Sequence, residues 1–343
     1  MSIALVAKQA GVSQATVSRV INRRPGVSPD ATAAVRNAIG LLGYEPAPPE
    51  RRPGRRVVAP GKERMGAVAV VLLDALYQHT PGVFTSHLRG IESEASEHGL
   101  GVLVVQADQA DSVPAVLTNG QIEGLILMGS RAAPSVLKVL NRFTSIWLSS
   151  HHGPTGDAVL SGNHQISEMA AKYLLGRGHK HLAFLAVMGS YPAYPVRAEA
   201  FRFFGGLSGA TVETFLDDIP AAADMEFPGV DVLRRRMGEL VDRLVATKPR
   251  PTGLFVPNDM MTALCYVALR ARGVIPGRDI DLISCNNEQS YLIGLDPQPA
   301  TIDIGAEMIG RRSVEQLLRK IRRPDETRQV QIAIAPVLVP SSA

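Results

Sequence analysis

The sequence predicts an all-α helix-turn-helix head followed by an α/β body of two doubly wound lobes. Three amphipathic segments with helix-cap signals occupy residues 1–46, a segment rich in proline and arginine fills residues 47–64, and apolar runs alternate with amphipathic stripes over residues 65–343. Residues 1–64 carry 11 Lys and Arg against 4 Asp and Glu, net +7, and the rest carry 25 against 28, net −3. We therefore expect a basic module for a polyanion and a near-neutral body for another partner.

Composition limits the class of protein. With 343 residues and 45% hydrophobic residues, the chain is long enough for several packed domains. Cys265 and Cys285 lie in apolar runs, where buried reduced thiols are expected. The N-terminal stretch lacks a signal-peptide pattern, and no apolar run approaches the ~18 residues of a membrane span, so we expect a cytoplasmic protein. The sequence contains no motif of a hydrolase, nucleotide-binding loop or metal site, and we expect no catalysis, cofactor or metal.

Three helix signals, with a tight turn between the first two, make up the head. The first helix is expected over residues 3–10, and Gly11 allows the sharp turn that follows. Ser13 is placed to cap a second helix over residues 14–22, because its hydroxyl can accept from an amide of the first turn. Ser28, followed by proline, is the expected cap of the third helix. This arrangement is typical of a helix-turn-helix domain.

The polar face of the second helix carries the candidate DNA contacts. In such domains the N-terminal end of this helix enters the major groove, where Gln14 and Arg19 would contact base edges and Ala15 a thymine methyl. The alternative is an ordinary solvated face of a small domain. The phosphate contacts expected on the same face are Thr16, Ser18 and Asn22.

Residues at fixed spacings in the head carry a resemblance to a known family. They are Val6-Ala7, Ala10-Gly11-Val12-Ser13, Thr16-Val17-Ser18-Arg19-Val20, Asn22, Val27-Ser28 and Leu42-Gly43-Tyr44 with Pro46. The pattern resembles the head of the lac repressor (LacI/GalR) family of bacterial transcription regulators. The resemblance implies a homodimer whose two heads bind a palindromic operator in double-stranded DNA, because one head offers little surface. Leu5 is a departure, since the family usually has aspartate there.

The linker, residues 47–64, departs further from the family pattern. Family members commonly continue with a hinge helix that forms on the operator and inserts a leucine into the minor groove. Prolines here disfavour a helix, and we find no such leucine. The segment is either an extended basic arm on the DNA or a flexible solvated linker. The arginines of the candidate arm are Arg51, Arg52, Arg55 and Arg56.

Beyond residue 65 the pattern is that of parallel sheets covered by helices. Near-continuous apolar runs suit strands that are buried on both faces. We expect lobe one over about 65–160 and 288–325, and lobe two over about 161–287 and 326–343. The predicted strands cover residues 67–73, 101–105, 124–128, 145–148, 182–187, 253–256 and 281–283.

Matches to the family continue in the body, which in that family resembles periplasmic sugar-binding proteins. They include Phe84 with Leu88-Arg89-Gly90-Ile91-Glu92, Asn163, Gly178-His179, Arg197 with Phe201, Asn258-Asp259 and Thr301-Ile302. Doubly wound folds bind ligands at strand ends, so these positions imply a pocket between the lobes.

Seven side chains are the candidates for binding an effector in this pocket. Arg197 could bond ligand hydroxyls or a carboxylate, and Asp259 and Asn286 could bond hydroxyls. The carboxylates usual in the family are replaced at Gly162-Asn163 and Asn286-Asn287, which makes an acidic or phosphorylated effector more plausible. Four aromatic side chains could face a sugar ring, with core packing as the alternative: Phe84, Trp147, Tyr191 and Tyr194.

The function predicted from these features is that of a ligand-responsive, sequence-specific transcription regulator that represses as a homodimer at the nucleoid. The expected effector is a sugar, sugar acid or sugar phosphate, which would shift the population of lobe arrangements. One alternative is an architectural or partner-controlled DNA-binding protein without an effector. A transport protein that binds solutes is a further alternative, which the attached head opposes.

Overall fold

The structure is a computed structural model that describes residues 3–21, 26–43, 66–73, 81–107, 114–118, 122–129, 134–149, 156–189, 191–217 and 228–341. The chain divides into two compact units, residues 1–64 and residues 65–343. We refer to them as the head and the body.

The head contains the three predicted helices, α1 (Ile3–Ala10), α2 (Gln14–Ile21) and α3 (Pro29–Leu41). Val6, Val17 and Val35, one from each helix, are fully buried and form its core. The Ser13 hydroxyl accepts from the Thr16 amide at 3.1 Å, and the Ser28 hydroxyl caps α3 by accepting from the Ala31 amide at 3.3 Å. Gly11 has φ +63°, which explains a glycine at the turn. The predicted end of α2 at Asn22 lies outside the described residues.

The body alternates strands and helices along most of its length. Its elements are β1 (Ala67–Leu72), α4 (Pro81–Glu97), β2 (Gly101–Gln106), α5 (Ala115–Thr118), β3 (Gly124–Met128), α6 (Pro134–Leu140), β4 (Ser145–Leu148), β5 (Asp157–Ser161), α7 (Asn163–Gly176), β6 (His181–Ala186), α8 (Ala193–Leu207), β7 (Thr211–Leu216), α9 (Val230–Ala246), β8 (Gly253–Phe255), α10 (Asp259–Ala271), β9 (Asp281–Cys285), α11 (Gln289–Leu292), β10 (Ala300–Asp303), α12 (Ala306–Arg322), β11 (Gln331–Ile334) and β12 (Val337–Val339).

Lobe one is built on a parallel sheet with the strand order β11-β5-β4-β3-β1-β2. Both faces of the sheet are covered, as the continuous apolar runs predict. Ile91 of α4 and Leu317 of α12 pack on one face, and Leu117 of α5 and Leu140 of α6 pack on the other. The lobe is therefore a three-layer α/β unit.

Lobe two repeats this design with the strand order β12-β10-β9-β8-β6-β7. Only β12 is antiparallel to its neighbour in the described sheet. Phe184 of β6, Phe201 of α8 and Phe255 of β8 are fully buried, and the Phe184 and Phe255 ring centroids lie 5.3 Å apart in an edge-to-face contact. The predicted fold class, a helix-turn-helix head with a two-lobed α/β body, is confirmed.

The predicted lobe boundaries were wrong in two places. Residues 288–303 were assigned to lobe one, but β10 pairs with β9 in the sheet of lobe two. The tail from residue 326 was assigned to lobe two, where β12 does pair with β10, but β11 pairs with β5 in lobe one. The physical reason for the second error is buried Asp157 of lobe one, which accepts from Lys320 Nζ at 2.8 Å and from the Val330 amide at 3.2 Å and so holds this part of the chain.

Within the described residues the chain passes between the lobes at three points: between β5 and α7, between β10 and α12, and between β11 and β12. The Gly162 amide at the first point donates to the Ile334 carbonyl oxygen at the third, at 3.0 Å. A Cβ on Gly305 at the second point would lie 3.0 Å from Ile334 Cγ2. The three connections therefore lie side by side, as a hinge requires.

Candidate functional site

The surface of α2 in the head is the first candidate site. Gln14, Ala15 and Arg19 are exposed, and Ser18 is half-buried beside them, while Val17 on the opposite side is fully buried. The sequence of α2 contains no acidic residue, so the exposed face is suited to a polyanion.

Thr16, one of the predicted phosphate contacts, also has a structural role, whereas others lie outside the described residues. Thr16 is half-buried, and its hydroxyl lies 2.9 Å from that of Ser13, so it also supports the turn before α2. Four arginines of the candidate arm and one residue of the recognition face lie outside the described residues: Arg51, Arg52, Arg55, Arg56 and Asn22.

The cleft between the two lobes of the body is the second candidate site. Glu288 follows β9 of lobe two, and its Oε1 accepts from the amides of Gly82 at 3.0 Å and Val83 at 3.3 Å, which begin α4 after β1 of lobe one. The carboxyl ends of the two sheets therefore face each other, as ligand-binding doubly wound folds require.

Arg197 of α8 lies in this region, as predicted, and is 5% exposed. Its Nε donates to Asn163 Oδ1 at 2.8 Å, and its Nη1 donates to the Pro257 carbonyl oxygen at 2.7 Å and to Cys285 Sγ at 3.5 Å. Burial raises the pKa of the Cys285 thiol to about 11, so this sulfur is neutral and brings no charge to the guanidinium. Among the described residues no carboxylate forms an ion pair with Arg197 and no group accepts from its Nη2, although the residue is almost fully buried.

Tyr191 and Tyr194 form a ring pair next to Arg197, with centroids 4.8 Å apart. Tyr194 is buried, and its hydroxyl accepts from Asn258 Nδ2 at 2.8 Å. Burial raises the pKa of Tyr194, which therefore stays a neutral hydroxyl. Tyr191 is half-buried, so it is the tyrosine of the pair that a ligand can reach more readily.

The structure contradicts a direct ligand contact for Asp259. This side chain at the start of α10 is fully buried, and its Oδ1 accepts from the hydroxyls of Ser284 and, at 2.9 Å, of Thr301. Its Oδ2 accepts from the Glu288 amide at 2.7 Å. Both oxygens are used within the protein, so Asp259 positions the segment after β9 and does not face the cleft.

Asn286 keeps its predicted place at the end of β9 and is half-buried. Its backbone is in the left-handed region, with φ +105°, and Asn287 follows with φ +60°. This conformation turns the chain from β9 toward Glu288, and Asn286 Nδ2 lies 3.5 Å from Glu288 Oε2.

The two aromatic candidates of lobe one have different environments. Phe84 is half-buried near the start of α4, close to the amides that bind Glu288. Trp147 is 7% exposed and packs in the hydrophobic core of lobe one with Leu127 and Ala158. Trp147 therefore packs as a core residue, which is the alternative that the sequence left open for it.

Sequence reasoning missed three polar side chains at or next to this cleft. Glu288 is one. Asp217, after β7, is 8% exposed, and its Oδ1 accepts from the Gly189 amide at 3.0 Å, while its Oδ2 has no hydrogen-bond partner in the described part of the chain. His87 of α4 is fully buried with Nε2 3.3 Å from the Ser149 hydroxyl, and burial lowers its pKa to about 3. Asp217 and Glu288 each follow a strand, and this position was the sequence signal that could have identified them as cleft residues.

Two sequence profiles match the chain, one over the head and one over the C-terminal part of the body. The profile for bacterial regulatory proteins of the lacI family matches residues 2–47, and that of the periplasmic binding protein-like domain matches residues 171–341. The chain therefore carries a lacI-family DNA-binding domain and a periplasmic binding protein-like domain. The family consists of transcription regulators and not of enzymes, and this lacI-family protein is a DNA-binding regulator with an effector-binding body.

Similar proteins align with this lacI-family chain from end to end. The transcriptional repressor PurR of Pectobacterium atrosepticum is 26% identical over 344 residues, which cover 97% of this chain and 94% of that protein. The ribose operon repressor of Escherichia coli is 24% identical and covers 97% of both chains.

Solved structures share the fold of this lacI-family regulator. A transcriptional regulator CelR in complex with cellobiose has a TM-score of 0.66 at 21% identity and covers 99% of each chain. The lac repressor dimer bound to operator and the anti-inducer ONPF has a TM-score of 0.63 at 20% identity, over 99% of this chain and 98% of that one.

The described residues of this lacI-family regulator contain neither a metal-binding cluster nor a membrane-spanning helix. Among them, no three His, Cys, Asp or Glu side chains lie together in a way that could hold a metal ion. In the same part of the chain, none of the helices has the length and apolar character needed to cross a bilayer.

Proposed function

We propose that this regulator is a homodimeric repressor that binds a palindromic operator and responds to a sugar or sugar-derived effector between its lobes. A dimer suits a palindrome because each helix-turn-helix head contacts one half-site. A protein of this kind acts at the nucleoid in the cytoplasm.

The observation that carries the proposal is the presentation of α2. Its N-terminal end is fixed by Ser13, its apolar side is buried through Val17, and Gln14, Ala15 and Arg19 remain exposed. An exposed arginine fork fits the O6 and N7 atoms of guanine, and the small side chains beside it allow close approach to the groove. These features support sequence-specific binding in the major groove.

The polar groups of the cleft support an effector with several oxygen atoms. Among the described residues, Arg197 Nη2 has no acceptor and Asp217 Oδ2 has no hydrogen-bond donor. Phe84 and Tyr191 are half-buried aromatic side chains that can cover the apolar face of a sugar ring. Because no carboxylate contacts Arg197 in the described chain, a sugar acid or sugar phosphate suits this cleft better than a neutral sugar.

Selection of duplexes from a randomised DNA pool by the full-length protein, at near-physiological salt, tests the DNA-binding half of the proposal. An enriched palindrome with two half-sites is the expected result, and Arg19→Ala should lose the enrichment at positions near the centre of each half-site. Enrichment of no sequence, or of an unpaired half-site alone, contradicts a dimeric sequence-specific repressor.

A thermal-shift screen with sugars, sugar acids and sugar phosphates tests the effector half. A ligand that binds only the folded state raises the melting temperature by mass action, and the shift should be much smaller in Arg197→Ala than in Arg202→Ala, a control that removes an exposed arginine of the same helix. If no compound raises the melting temperature of a protein that binds its selected duplex, an architectural DNA-binding role replaces the effector-responsive one.

A further inference from the structure

The contact between Glu288 and α4 is a feature of the body that neither its fold nor its family assignment requires. Glu288 belongs to lobe two and is 4% exposed. Its carboxylate accepts from the Gly82 and Val83 amides of lobe one at 3.0 and 3.3 Å. Gly82 stands 206 positions earlier in the chain. One side chain thus spans the cleft and bonds the opposite lobe.

The start of α4 is a favourable place for a carboxylate. The first amides of a helix have no acceptor within the helix, and the helix dipole places partial positive charge there. The first turn of α4 contains no acidic residue of its own. Glu288 of the other lobe supplies the negative charge that this helix N-terminus favours. Hydrogen bonds from amides to a carboxylate are also stronger than those between neutral groups.

Lobe two holds Glu288 firmly at its own end. The Glu288 amide donates to Asp259 Oδ2 at 2.7 Å, and Asp259 is fixed by the Ser284 and Thr301 hydroxyls in the buried core. The carboxylate cannot follow lobe one if the lobes separate, because its backbone is tied to β9 and β10 through these bonds. Opening of the cleft must therefore break the contacts with α4.

Gly82 shows how closely the two lobes fit at this point. A Cβ on Gly82 would lie 2.9 Å from Glu288 Oε1, closer than real Cβ atoms approach an oxygen. A methyl group there would push the carboxylate away without changing any charge. The contact can therefore be broken independently from either lobe.

We propose that Glu288 is an interlobe latch, whose carboxylate on the N-terminus of α4 holds the body in the closed arrangement without an effector. The latch lowers the population of the open body, so it sets how much an effector must contribute to change the arrangement of the lobes. The latch acts within the body and does not depend on which effector binds.

Electron–electron distance measurements on the full-length protein test the latch directly. Spin labels at Ser96→Cys on α4 and Arg235→Cys on α9 report the separation of the lobes, since both positions are exposed and the native cysteines are buried. In dimers in which a labelled chain is paired with unlabelled chain in excess, we expect one narrow distance within the labelled parent chain. Glu288→Gln and Gly82→Ala should each raise a second, different distance population roughly tenfold, the change that about 1.4 kcal/mol produces.

Three comparisons make the outcome decisive. Glu307→Gln is the matched control, because it removes a carboxylate from the first turn of α12 within lobe one and should leave the distance unchanged. The double variant of Glu288 and Gly82 should resemble either single variant, because both substitutions break one contact. If Glu288→Gln does not fold, Gly82→Ala decides alone. The latch proposal is overturned if the distance distributions of the folded variants stay narrow. It is also overturned if the distribution of the parent is as broad as those of the variants.

Discussion

The exposed side chain of Arg19 on α2 is the residue on which recognition of the operator should depend most. We expect Arg19→Ala to weaken binding to the selected operator by roughly 1–3 kcal/mol, since a bidentate arginine–guanine contact contributes about that much discrimination. Titration of the labelled operator, and of an unrelated duplex of equal length, measures both the affinity and the specificity ratio.

Arg36→Ala is the matched control for this prediction. Arg36 is exposed on α3 and its loss changes the head's charge equally. It should weaken both duplexes by similar factors, because a contact with phosphates carries no sequence information. Equal losses of specificity in the two variants would remove Arg19 from the base-reading residues, and loss of effector binding in Arg19→Ala would contradict the division into head and body.

The buried carboxyl of Asp259 predicts a particular dependence of stability on pH. Burial raises its pKa to about 7, although the Ser284 hydroxyl, the Glu288 amide and the Thr301 hydroxyl oppose the shift. A folded-state pKa above the unfolded value means that the folded protein binds the proton more tightly. This group's contribution is therefore fully present below about pH 4 and is lost as pH rises to about 7, at roughly 1.4 kcal/mol per pH unit.

Comparison with Asp259→Asn isolates this contribution. The amide side chain does not titrate, and with its Oδ1 accepting from the Glu288 amide its Nδ2 can donate to the Ser284 and Thr301 hydroxyls, so the stability of the variant should not follow this titration. Urea denaturation at pH 5, 6, 7 and 8 gives the free energy of unfolding of both proteins. The stability of the parent relative to the variant should fall as pH rises, whereas a relative stability that stays constant from pH 5 to pH 8 would show a carboxylate that is ionised throughout this range.

At the scale of single residues, the sequence predicted the groups whose hydrogen-bond partners are close in the chain and missed those whose partners are far away in the chain. Ser13 and Ser28 were predicted as caps because a cap needs only the next turn of helix. Glu288 was not considered, because the amides that bind it come from the other lobe. Asp259 was predicted as a ligand contact because its hydrogen-bond donors are also distant in the sequence. The Thr301 hydroxyl, which donates to the Asp259 carboxylate, stands 42 positions later.

The closest contact between helices of lobe one is made at the glycines of α4 and α12. A Cβ on Gly310 would lie 2.2 Å from the carbonyl oxygen of His87, and neither backbone can give way without moving a helix. We expect Gly310→Ala to lower the free energy of unfolding by about 1–3 kcal/mol, in the range of overpacked cores. Denaturant titration of the full-length protein measures the change.

Gly206→Ala is the matched control, because this glycine-to-alanine substitution should raise the free energy of unfolding instead of lowering it. Gly206 lies in α8, where an added Cβ would have nothing within 4 Å, so alanine there should stabilise the protein by roughly 0.5–1 kcal/mol. A Gly310→Ala protein as stable as the parent would mean that α4 and α12 pack less closely than the structure has them.

At the scale of elements, sequence patterns found the strands with long apolar runs and missed the others. All seven predicted strands are present, from β1 to β9: six of them are largely buried, whereas β2, at the edge of its sheet, has exposed and half-buried residues and was found by its apolar run alone. β7, at the edge of its sheet, contains Thr211 and Glu213 on exposed or half-exposed positions, and β11 and β12 have four and three residues. Such short edge strands give little periodicity, and only their partners assign them to a lobe.

At the scale of the whole molecule, two aliphatic side chains of lobe two are more exposed than a monomer needs. Ile293, directly after α11, is 80% exposed, and Val267 of α10 is 59% exposed. The two helices pack against each other. A second copy of the chain is the partner that we expect to cover them, because apolar patches on soluble proteins mark interaction surfaces and closed homodimers are the commonest assembly.

Ile293→Asp should therefore convert the dimer to a monomer and, as a consequence, weaken binding to the palindromic operator while leaving binding to a half-site unchanged. A charge placed in the apolar contact disfavours association, and each head then binds without the second head held nearby. Sedimentation equilibrium and operator titration measure the two effects. Phe203→Asp, at a 60% exposed aromatic residue of α8, is the control and should stay dimeric. Dissociation by Phe203→Asp instead of Ile293→Asp would move the dimer contact to α8, and loss of operator binding by a variant that is still dimeric would separate operator recognition from dimerisation.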